Sequence, residues 1–192
     1  MITHEEGRLR FDFPETWTVL KYDDSPYYRR SIIRSGAGLA AVDFVAAPPA
    51  RGSTLVLLEV KDFREHALEN RTRLTSGELA VEVITKALDT FGALHTGLRA
   101  NQPDLRPLAP VLQPYPNQVQ VVLLLEEDPP PQAGVSGHMS TASKLKLDAH
   151  WKRRGDVLAT LQSRLLPFRM TAALYSCAEV PARAGWTATP LG

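Results

Sequence analysis

The sequence predicts a protein of the α/β or α+β class, and three observations carry this prediction. Short apolar runs alternate with longer segments of helical periodicity along the chain. Residues 55–58 are continuously apolar, which is typical of a strand covered on both faces. From Leu79 to Leu98, apolar side chains recur every three or four positions, as in a helix that packs one face on a sheet. A helical bundle and an all-β sandwich do not fit these patterns.

The elements are predicted in chain order from alternation, periodicity and turn residues. Strands are expected at 7–13, 38–46, 55–61, 118–125 and 168–176, with a weak edge strand or tail from 185 onward. A long helix is expected to follow Thr75, because Thr75 and Glu78 have the spacing of a capping box. Two more helices are expected at 139–151 and 156–166, separated at Gly155. Five prolines between 103 and 116 predict an irregular loop over 101–117.

The composition indicates a folded chain whose net charge is too small to produce a strong electrostatic field around the whole molecule. Of the 192 residues, 44% are hydrophobic and 22% are charged, which excludes collagen-like and wholly disordered chains. The 22 basic and 21 acidic residues give a formal charge of +1, so any basic surface that attracts nucleic acid must be local. The length predicts a single domain over residues 1–192.

The cysteine usage and the N-terminus predict a cytoplasmic protein without a membrane segment. Cys177 is the single cysteine, so the chain forms neither an internal disulfide nor a cysteine-based zinc site. The first six residues lack the basic and then apolar pattern of a signal peptide. No stretch approaches the roughly 20 apolar residues that cross a bilayer.

The strongest chemical signal is a set of charged residues on two neighbouring predicted strands. Asp43 lies in the strand 38–46, and after fifteen intervening residues Glu59, Val60 and Lys61 end the apolar run. Because successive side chains of a strand point to opposite faces, Glu59 and Lys61 share a face, roughly 6.6 Å apart along the chain. If the two strands pair, Asp43 brings a second carboxylate near Glu59. Two carboxylates in a small volume raise one pKa or bind a hard divalent ion such as Mg²⁺.

Val42-Asp43 and Glu59-Val60-Lys61 resemble the motif of the PD-(D/E)XK, or restriction-endonuclease-like, nuclease superfamily. The resemblance covers mainly residues 38–99, about a third of the chain, and Val42 stands where the family name has proline. It implies an α/β fold with a mixed central β-sheet flanked by helices on both faces. It also implies metal ligands at Asp43 and Glu59, often joined by the carbonyl of Val60, and a lysine at Lys61 that orients or activates the attacking water.

The resemblance implies a nuclease that uses Mg²⁺ or Mn²⁺ to hydrolyse phosphodiester bonds, and we expect DNA more than RNA as its substrate. A metal held by Asp43 and Glu59 would neutralise the scissile phosphate and make a water nucleophilic, and Lys61 would hydrogen-bond the water or the developing charge. The family's additional acid on an early helix has no clear match in this sequence. The candidates are Glu5, Glu6, Glu15 and Asp24.

Two alternatives stay open at this stage. The Glu59 and Lys61 pair is also explained as a solvated ion pair at a strand end, worth under about 1 kcal/mol. The whole chain is also explained as a catalytically inactive binding or regulatory domain on the same scaffold. The missing early acid favours this alternative, whereas the intact set of Asp43, Glu59 and Lys61 favours the enzyme. Because no DNA-recognition module is evident, a homodimer or a protein partner is a further expectation.

Two basic features are further candidates for contact with nucleic acid. Between residues 144 and 169, seven basic and two acidic residues give a local charge of +5. This cluster either lines a phosphate backbone or forms solvated helix faces. Its basic members are Lys144, Lys146, Lys152, Arg153, Arg154, Arg164 and Arg169. Lys86 lies near the apolar stripe of the predicted helix, where it either approaches the site or extends to solvent.

Overall fold

The computed structural model describes residues 1–49, 54–113, 116–131 and 139–191. Within these ranges the chain forms eight β-strands and four α-helices. The strands are β1 (Ile2–Glu6), β2 (Leu9–Phe13), β3 (Thr18–Lys21), β4 (Phe44–Ala47), β5 (Thr54–Asp62), β6 (Gln118–Glu126), β7 (Met170–Tyr175) and β8 (Thr187–Pro190). The helices are α1 (Ala67–Thr75), α2 (Glu78–Arg99), α3 (Ala109–Leu112) and α4 (Thr141–Leu165).

The main sheet has five strands in the order β3-β4-β5-β6-β7, and it is mixed. β3, β4 and β5 pair antiparallel, whereas β6 lies parallel to β5 and β7 lies parallel to β6. Parallel neighbours require a crossover, which α1 and α2 supply between β5 and β6 and α4 supplies between β6 and β7. The predicted α/β character and the predicted mixed sheet are confirmed.

One face of the main sheet is covered by the helices. The strand order advances in one direction from β5 through β6 to β7, so two right-handed crossovers place their helices on the same face. The buried core on this face joins Leu57 of β5 to Val83 of α2 and Leu161 of α4. The apolar stripe predicted for α2 therefore packs on the sheet as expected, with Leu79, Val83, Ala87, Leu94 and Leu98 all buried.

The opposite face is covered by a second sheet, which corrects the expectation of helices on both faces. This sheet has three antiparallel strands in the order β1-β2-β8. It packs Phe11, Phe13 and Trp186 against Phe44 of β4 and Leu58 of β5. In the described part of the chain, no α-helix joins this layer, because both crossovers lie on the other side.

Two predicted helix boundaries differ from the structure. Thr75 is the last residue of α1 and its hydroxyl donates to the carbonyl of Arg71, so it does not cap α2. Instead, α2 begins after Gly77, whose φ of 79° separates the two helices. Gly155 does not interrupt α4, which runs unbroken from Thr141 to Leu165. An interior glycine costs only about 1 kcal/mol relative to alanine, and packing against the sheet outweighs that cost.

The proline-rich segment 101–117 is more regular than predicted. It contains a 3₁₀ helix at Pro103–Leu108, followed directly by α3. Leu105, Leu108 and Leu112 of this segment are buried against the helical face of the main sheet. Pro114 and Tyr115 lie outside the described residues.

Among the helices described, none combines the length and the apolar character that crossing a membrane requires.

Candidate active site

Asp43 immediately precedes β4, at the edge of the main sheet where β5 ends. It is 8% exposed, and its Oδ2 atom accepts the backbone N–H of Val60 at 2.6 Å. Its own carbonyl accepts the backbone N–H of Tyr22 at 2.8 Å, which ties it to the residue after β3. Phe44 pairs with Leu58, so continuing the antiparallel register by one residue sets Asp43 opposite Glu59. The two predicted strands therefore pair, but the strand expected over 38–46 begins only at Phe44, so Asp43 lies just before β4 and not within it.

Glu59 has no exposed surface, and two ammonium groups contact one of its oxygens. Its Oε1 lies 2.8 Å from Nζ of Lys61 and accepts a hydrogen bond from Nζ of Lys86 at 2.6 Å. The predicted shared face of Glu59 and Lys61 is confirmed. A solvated ion pair at a strand end does not describe Glu59, because its exposure is 0%. Lys86 extends from α2 to the site rather than to solvent.

Lys61 has a second acidic partner on α2. Its Nζ lies 2.7 Å from Oε1 of Glu82, and Oε2 of Glu82 accepts a hydrogen bond from Arg73 of α1 at 2.5 Å. Burial acts to lower the pKa of Lys61, but the carboxylates of Glu59 and Glu82 raise it above the ordinary lysine value. Lys61 is therefore a cation at neutral pH, which donates hydrogen bonds and does not accept a proton.

Asp43 also belongs to a group of three acids. Oxygen atoms of Glu6, Asp23 and Asp43 lie within 4.8 Å of one another, an arrangement that is able to hold a metal ion. Glu6 ends β1 and Asp23 follows β3, so the group joins the small sheet to the main one. Among the described acids, Glu59 is not in this group; it contacts the two lysines instead.

The four N-terminal candidates for the additional acid have different surroundings. Glu6 lies in the acidic group, where its Oε2 is also 2.9 Å from Nζ of Lys21. Glu15 pairs with the N-terminal amine, Asp24 pairs with Lys21 and Arg29, and Glu5 is exposed on β1. Glu6 is therefore the candidate that lies beside Asp43, on a strand rather than on a helix.

The surroundings of the acidic group disfavour ionisation of all three of its carboxyl groups at once. Burial raises the pKa of Asp43 to about 7, and the negative charge of Glu59 contributes to this shift. Burial also raises the pKa of Asp23 above its ordinary value. A bound divalent cation would favour the ionised forms of these acids.

Two carboxylate oxygens at this edge are buried without a hydrogen-bond donor. Oε2 of Glu59 and Oδ1 of Asp23 have no partner within the described ranges. Buried oxygens of this kind carry a desolvation cost that a donor or a cation would offset. Because carboxylate oxygens are the ligands that Mg²⁺ and Mn²⁺ prefer, the residues present fit such an ion.

Sequence reasoning missed Asp23 and Glu82 in this site, whereas it had named Lys86 as a residue that either approaches the site or extends to solvent. Asp23 follows a short strand with no periodic signal of its own. Glu82 and Lys86 are spaced by four residues on α2, each directly preceding a residue of the apolar stripe, Val83 and Ala87. This spacing is the signal that places both side chains at the boundary between the helix and the sheet.

The basic cluster divides into a buried residue and several exposed ones. Arg154 is 6% exposed; it donates to the carbonyl of Leu125 at 3.2 Å and to Oε2 of Glu179 at 2.5 Å. It therefore anchors α4 to the end of β6, and its role is structural. The exposed members are Lys144, Lys146, Lys152, Arg164 and Arg169.

No family model matches the chain, and no curated protein or solved structure matches it either.

Proposed function

We propose that this protein is a divalent-metal-dependent nuclease that hydrolyses phosphodiester bonds in DNA. The observation that carries the proposal is the convergence of charged groups at one edge of the main sheet. Asp43 lies there with Glu6 and Asp23, beside the buried Glu59 and its two lysines. Buried carboxylates are costly to desolvate, and a bound metal ion would offset the part of this cost that the two lysines leave.

The metal ligands that we propose are Asp43, Glu59 and the carbonyl of Val60. The backbone N–H of Val60 bonds Oδ2 of Asp43, which holds the Asp43 carboxylate against the β5 backbone next to Glu59. Glu6 and Asp23 add further carboxylates next to Asp43. A Mg²⁺ or Mn²⁺ ion bound by these residues would neutralise the scissile phosphate and lower the pKa of a bound water.

The two lysines have different proposed roles. Lys61, kept as a cation by Glu59 and Glu82, donates a hydrogen bond that orients the attacking water or stabilises the charge that develops on the phosphate. Lys86 approaches Glu59 from α2 and holds its carboxylate in place at 2.6 Å. Glu82, whose other oxygen accepts a hydrogen bond from Arg73, in turn holds the ammonium of Lys61.

The proposal includes a restriction-endonuclease-like scaffold. Its support is the sheet order, in which the antiparallel strands β3, β4 and β5 precede the parallel strand β6 across a helical crossover. Of the motif residues, Asp43 directly precedes β4, and Glu59, Val60 and Lys61 lie on β5, at the end where β5 leads into α1. The small sheet on the opposite face is an addition to the scaffold that the resemblance implies.

One observation favours the alternative of a catalytically inactive binding or regulatory domain. Both Lys61 and Lys86 contact the same oxygen of Glu59, so this carboxylate is already compensated without a metal. A cluster of this kind also serves as a buried link between β5 and α2. Under this alternative, the chain binds a nucleic acid or a protein but hydrolyses neither.

The test is hydrolysis of labelled single-stranded DNA, duplex DNA and RNA, with Mn²⁺ or with a chelator. We expect Mn²⁺-dependent cleavage that falls at least about 100-fold in Asp43→Asn and in Lys61→Met, since each removes a group that acts on the reacting centre. Glu65→Gln is the matched control, because Glu65 is an exposed acid outside the site. Binding without cleavage by the natural chain would favour the inactive alternative, and undiminished cleavage by Asp43→Asn would refute the proposed site.

A further inference from the structure

A groove of about 480 Å³ lies between α1 and α4, next to the segment that follows β6. Its apolar lining includes Leu68 and Leu74 of α1 and Leu145 of α4. Leu68 is 85% exposed and Leu145 is 64% exposed, so these two side chains present apolar surface to the solvent from opposite walls. Leucine surface of this kind on both sides of one groove is typical of a binding site.

Three cations line the same groove. They are Arg71 of α1 and Lys146 and Arg153 of α4. In the described part of the chain none of them forms an ion pair, and the Nε atom of Arg153 is buried without an acceptor. Uncompensated cations on both walls attract an anionic ligand.

The two acids in the lining are engaged by other groups. Oε2 of Glu127 lies 3.5 Å from Nη1 of Arg154 and 3.8 Å from Nδ1 of His150. Oδ1 of Asp128 accepts the backbone N–H of Glu65 at 2.9 Å. Arg154 offsets the charge of Glu127, whereas the hydrogen bond to Asp128 satisfies one oxygen without neutralising the carboxylate. The three cations of the lining outnumber this one uncompensated acid, so the groove keeps a net positive charge.

The groove and the candidate active site share one edge of the sheet and one helix. Both lie where β5 ends, and α1 forms part of each. Arg73 of α1 contacts Glu82, which contacts Lys61, whereas Arg71 lines the groove. Residues two apart on a helix project about 200° from each other, so Arg71 and Arg73 extend from opposite sides of α1, one to the groove and the other to Glu82.

We propose that this groove binds a single-stranded segment of nucleic acid that leads to the acidic site. This inference rests on the proposed function and specifies its substrate class. The phosphates would lie on Arg71, Lys146 and Arg153, and the apolar lining would contact the faces of unpaired bases. A duplex keeps its bases stacked inside and offers only phosphates to the groove, so the apolar lining favours a single strand.

The test measures binding of a fluorescently labelled oligothymidylate of about 12 nucleotides by anisotropy, with chelator present so that no cleavage occurs. The groove variant is Lys146→Ala/Arg153→Ala. Its matched control is Lys144→Ala/Arg164→Ala, which removes the same charge from exposed positions of α4 outside the groove. Lys146→Arg/Arg153→Lys keeps both charges and shows whether a loss follows from charge or from misfolding.

We expect the groove variant to bind at least about tenfold more weakly than the natural chain, and the control to stay within about threefold. The slope of log Kd against log salt concentration should fall by roughly 1.4, because each phosphate contact to a single strand contributes about 0.7. The charge-keeping variant should bind like the natural chain. Equal binding by the groove variant and the control would overturn the proposal.

Binding of polyglutamate and of a duplex tests which ligand the groove prefers, and the variant Asp43→Asn tests whether binding depends on the acidic site. Displacement by polyglutamate as efficient as by unlabelled oligothymidylate would overturn the assignment in favour of an acidic polypeptide, and equal affinity for a duplex would overturn the single-strand preference. Asp43→Asn should bind the oligothymidylate normally. If the natural chain binds the oligothymidylate through the groove but never cleaves nucleic acid, this inference is upheld and the proposed function is refuted. If the groove variant cleaves with an unchanged KM, the proposed function is upheld and this inference is refuted.

Discussion

Glu59 is an acid with no exposed surface at the end of an apolar strand. Transfer of a carboxylate out of water costs several kcal/mol unless paired groups compensate it. Here Lys61 and Lys86 supply that compensation on one oxygen, and the other oxygen has no donor within the described residues. The residue is thus stabilised in part and remains able to accept a further cation.

Replacement of Glu59 by glutamine should destabilise the protein by about 2–4 kcal/mol, because it leaves Lys86 without its carboxylate. Urea unfolding measures this loss. In Glu59→Gln/Lys86→Met, part of the loss should be recovered, because the unpaired ammonium is removed as well. Glu65→Gln, at an acid with a 75% exposed side chain, should change the free energy of unfolding by under about 0.5 kcal/mol. Equal effects at Glu59 and Glu65 would contradict the buried pairing.

Asp43 should make the stability of the protein fall as the pH rises from about 4 to about 7. Its pKa is about 7 in the folded chain and near 3.8 when unfolded, so between these values the folded state binds more protons. The effect is on the order of 4 kcal/mol, since one pKa unit corresponds to about 1.4 kcal/mol. In Asp43→Asn this component is absent, so the free energy of unfolding of the variant relative to the natural chain should increase with pH and level off above pH 8. A difference independent of pH would refute the shifted pKa.

Single residues differ in how far the sequence predicts their place. Glu59 and Lys61 were predictable, because alternation along a strand fixes which side chains share a face. Asp43 was predictable only through strand pairing, and β4 begins one residue after it. Asp23 was not predictable, because its position depends on how a short strand ends and on the approach of Glu6 from another sheet.

At the scale of elements, α2 connects the sheet, the site and the proline-rich segment. Its apolar stripe was predictable from a periodicity near 3.6 residues, and its start was not, because Gly77 rather than Thr75 sets the boundary. Gly97 near its end is closely packed. A Cβ atom there would lie 2.5 Å from Cδ1 of Leu105 and 2.6 Å from Cε1 of Tyr27.

Gly97→Ala should therefore destabilise the protein by about 1–3 kcal/mol, despite the higher helix propensity of alanine. Gly92→Ala is the control within the same helix, because a Cβ atom there meets nothing within 4 Å. That variant should be neutral or stabilising by up to about 1 kcal/mol. Thermal unfolding measures both, and a stabilised Gly97→Ala would contradict the close packing of α2 on the 3₁₀ helix Pro103–Leu108.

The continuity of α4 leads to a separate prediction. Because Gly155 lies inside a helix and a Cβ atom there meets nothing within 4 Å, Gly155→Ala should stabilise the protein by about 0.5–1 kcal/mol. Denaturant unfolding measures the change. A clear loss of stability would show that the helix bends or breaks at this residue, as the sequence pattern indicated.

At the scale of the whole molecule, the class of the fold was predictable and its layering was not. Alternating strand and helix patterns indicate α/β structure, but the face on which a crossover helix lies depends on strand order. Here the order β5-β6-β7 puts both crossovers on one face and leaves the other for β1, β2 and β8. β8 comes from the C-terminal segment and pairs with β2 near the N-terminus, a contact that no local pattern contains.

This layering also determines where the cluster of acids and lysines lies. The small sheet brings Glu6 to the end of β4, and the helical layer brings Lys86 and Glu82 to the end of β5. The site therefore combines residues from both layers at one edge of the main sheet. We expect this edge to bind a divalent cation through Asp43.

Calorimetric titration with Mn²⁺ at pH 8 is the measurement for this expectation, because it reports metal binding whether or not the chain cleaves nucleic acid. The natural chain and the control Glu5→Gln, an exposed acid next to Glu6, should bind at least one ion per chain with the same heat. Asp43→Asn should lose that heat. Binding of Mn²⁺ by Asp43→Asn with the natural stoichiometry and affinity would contradict the metal site and the nuclease that depends on it.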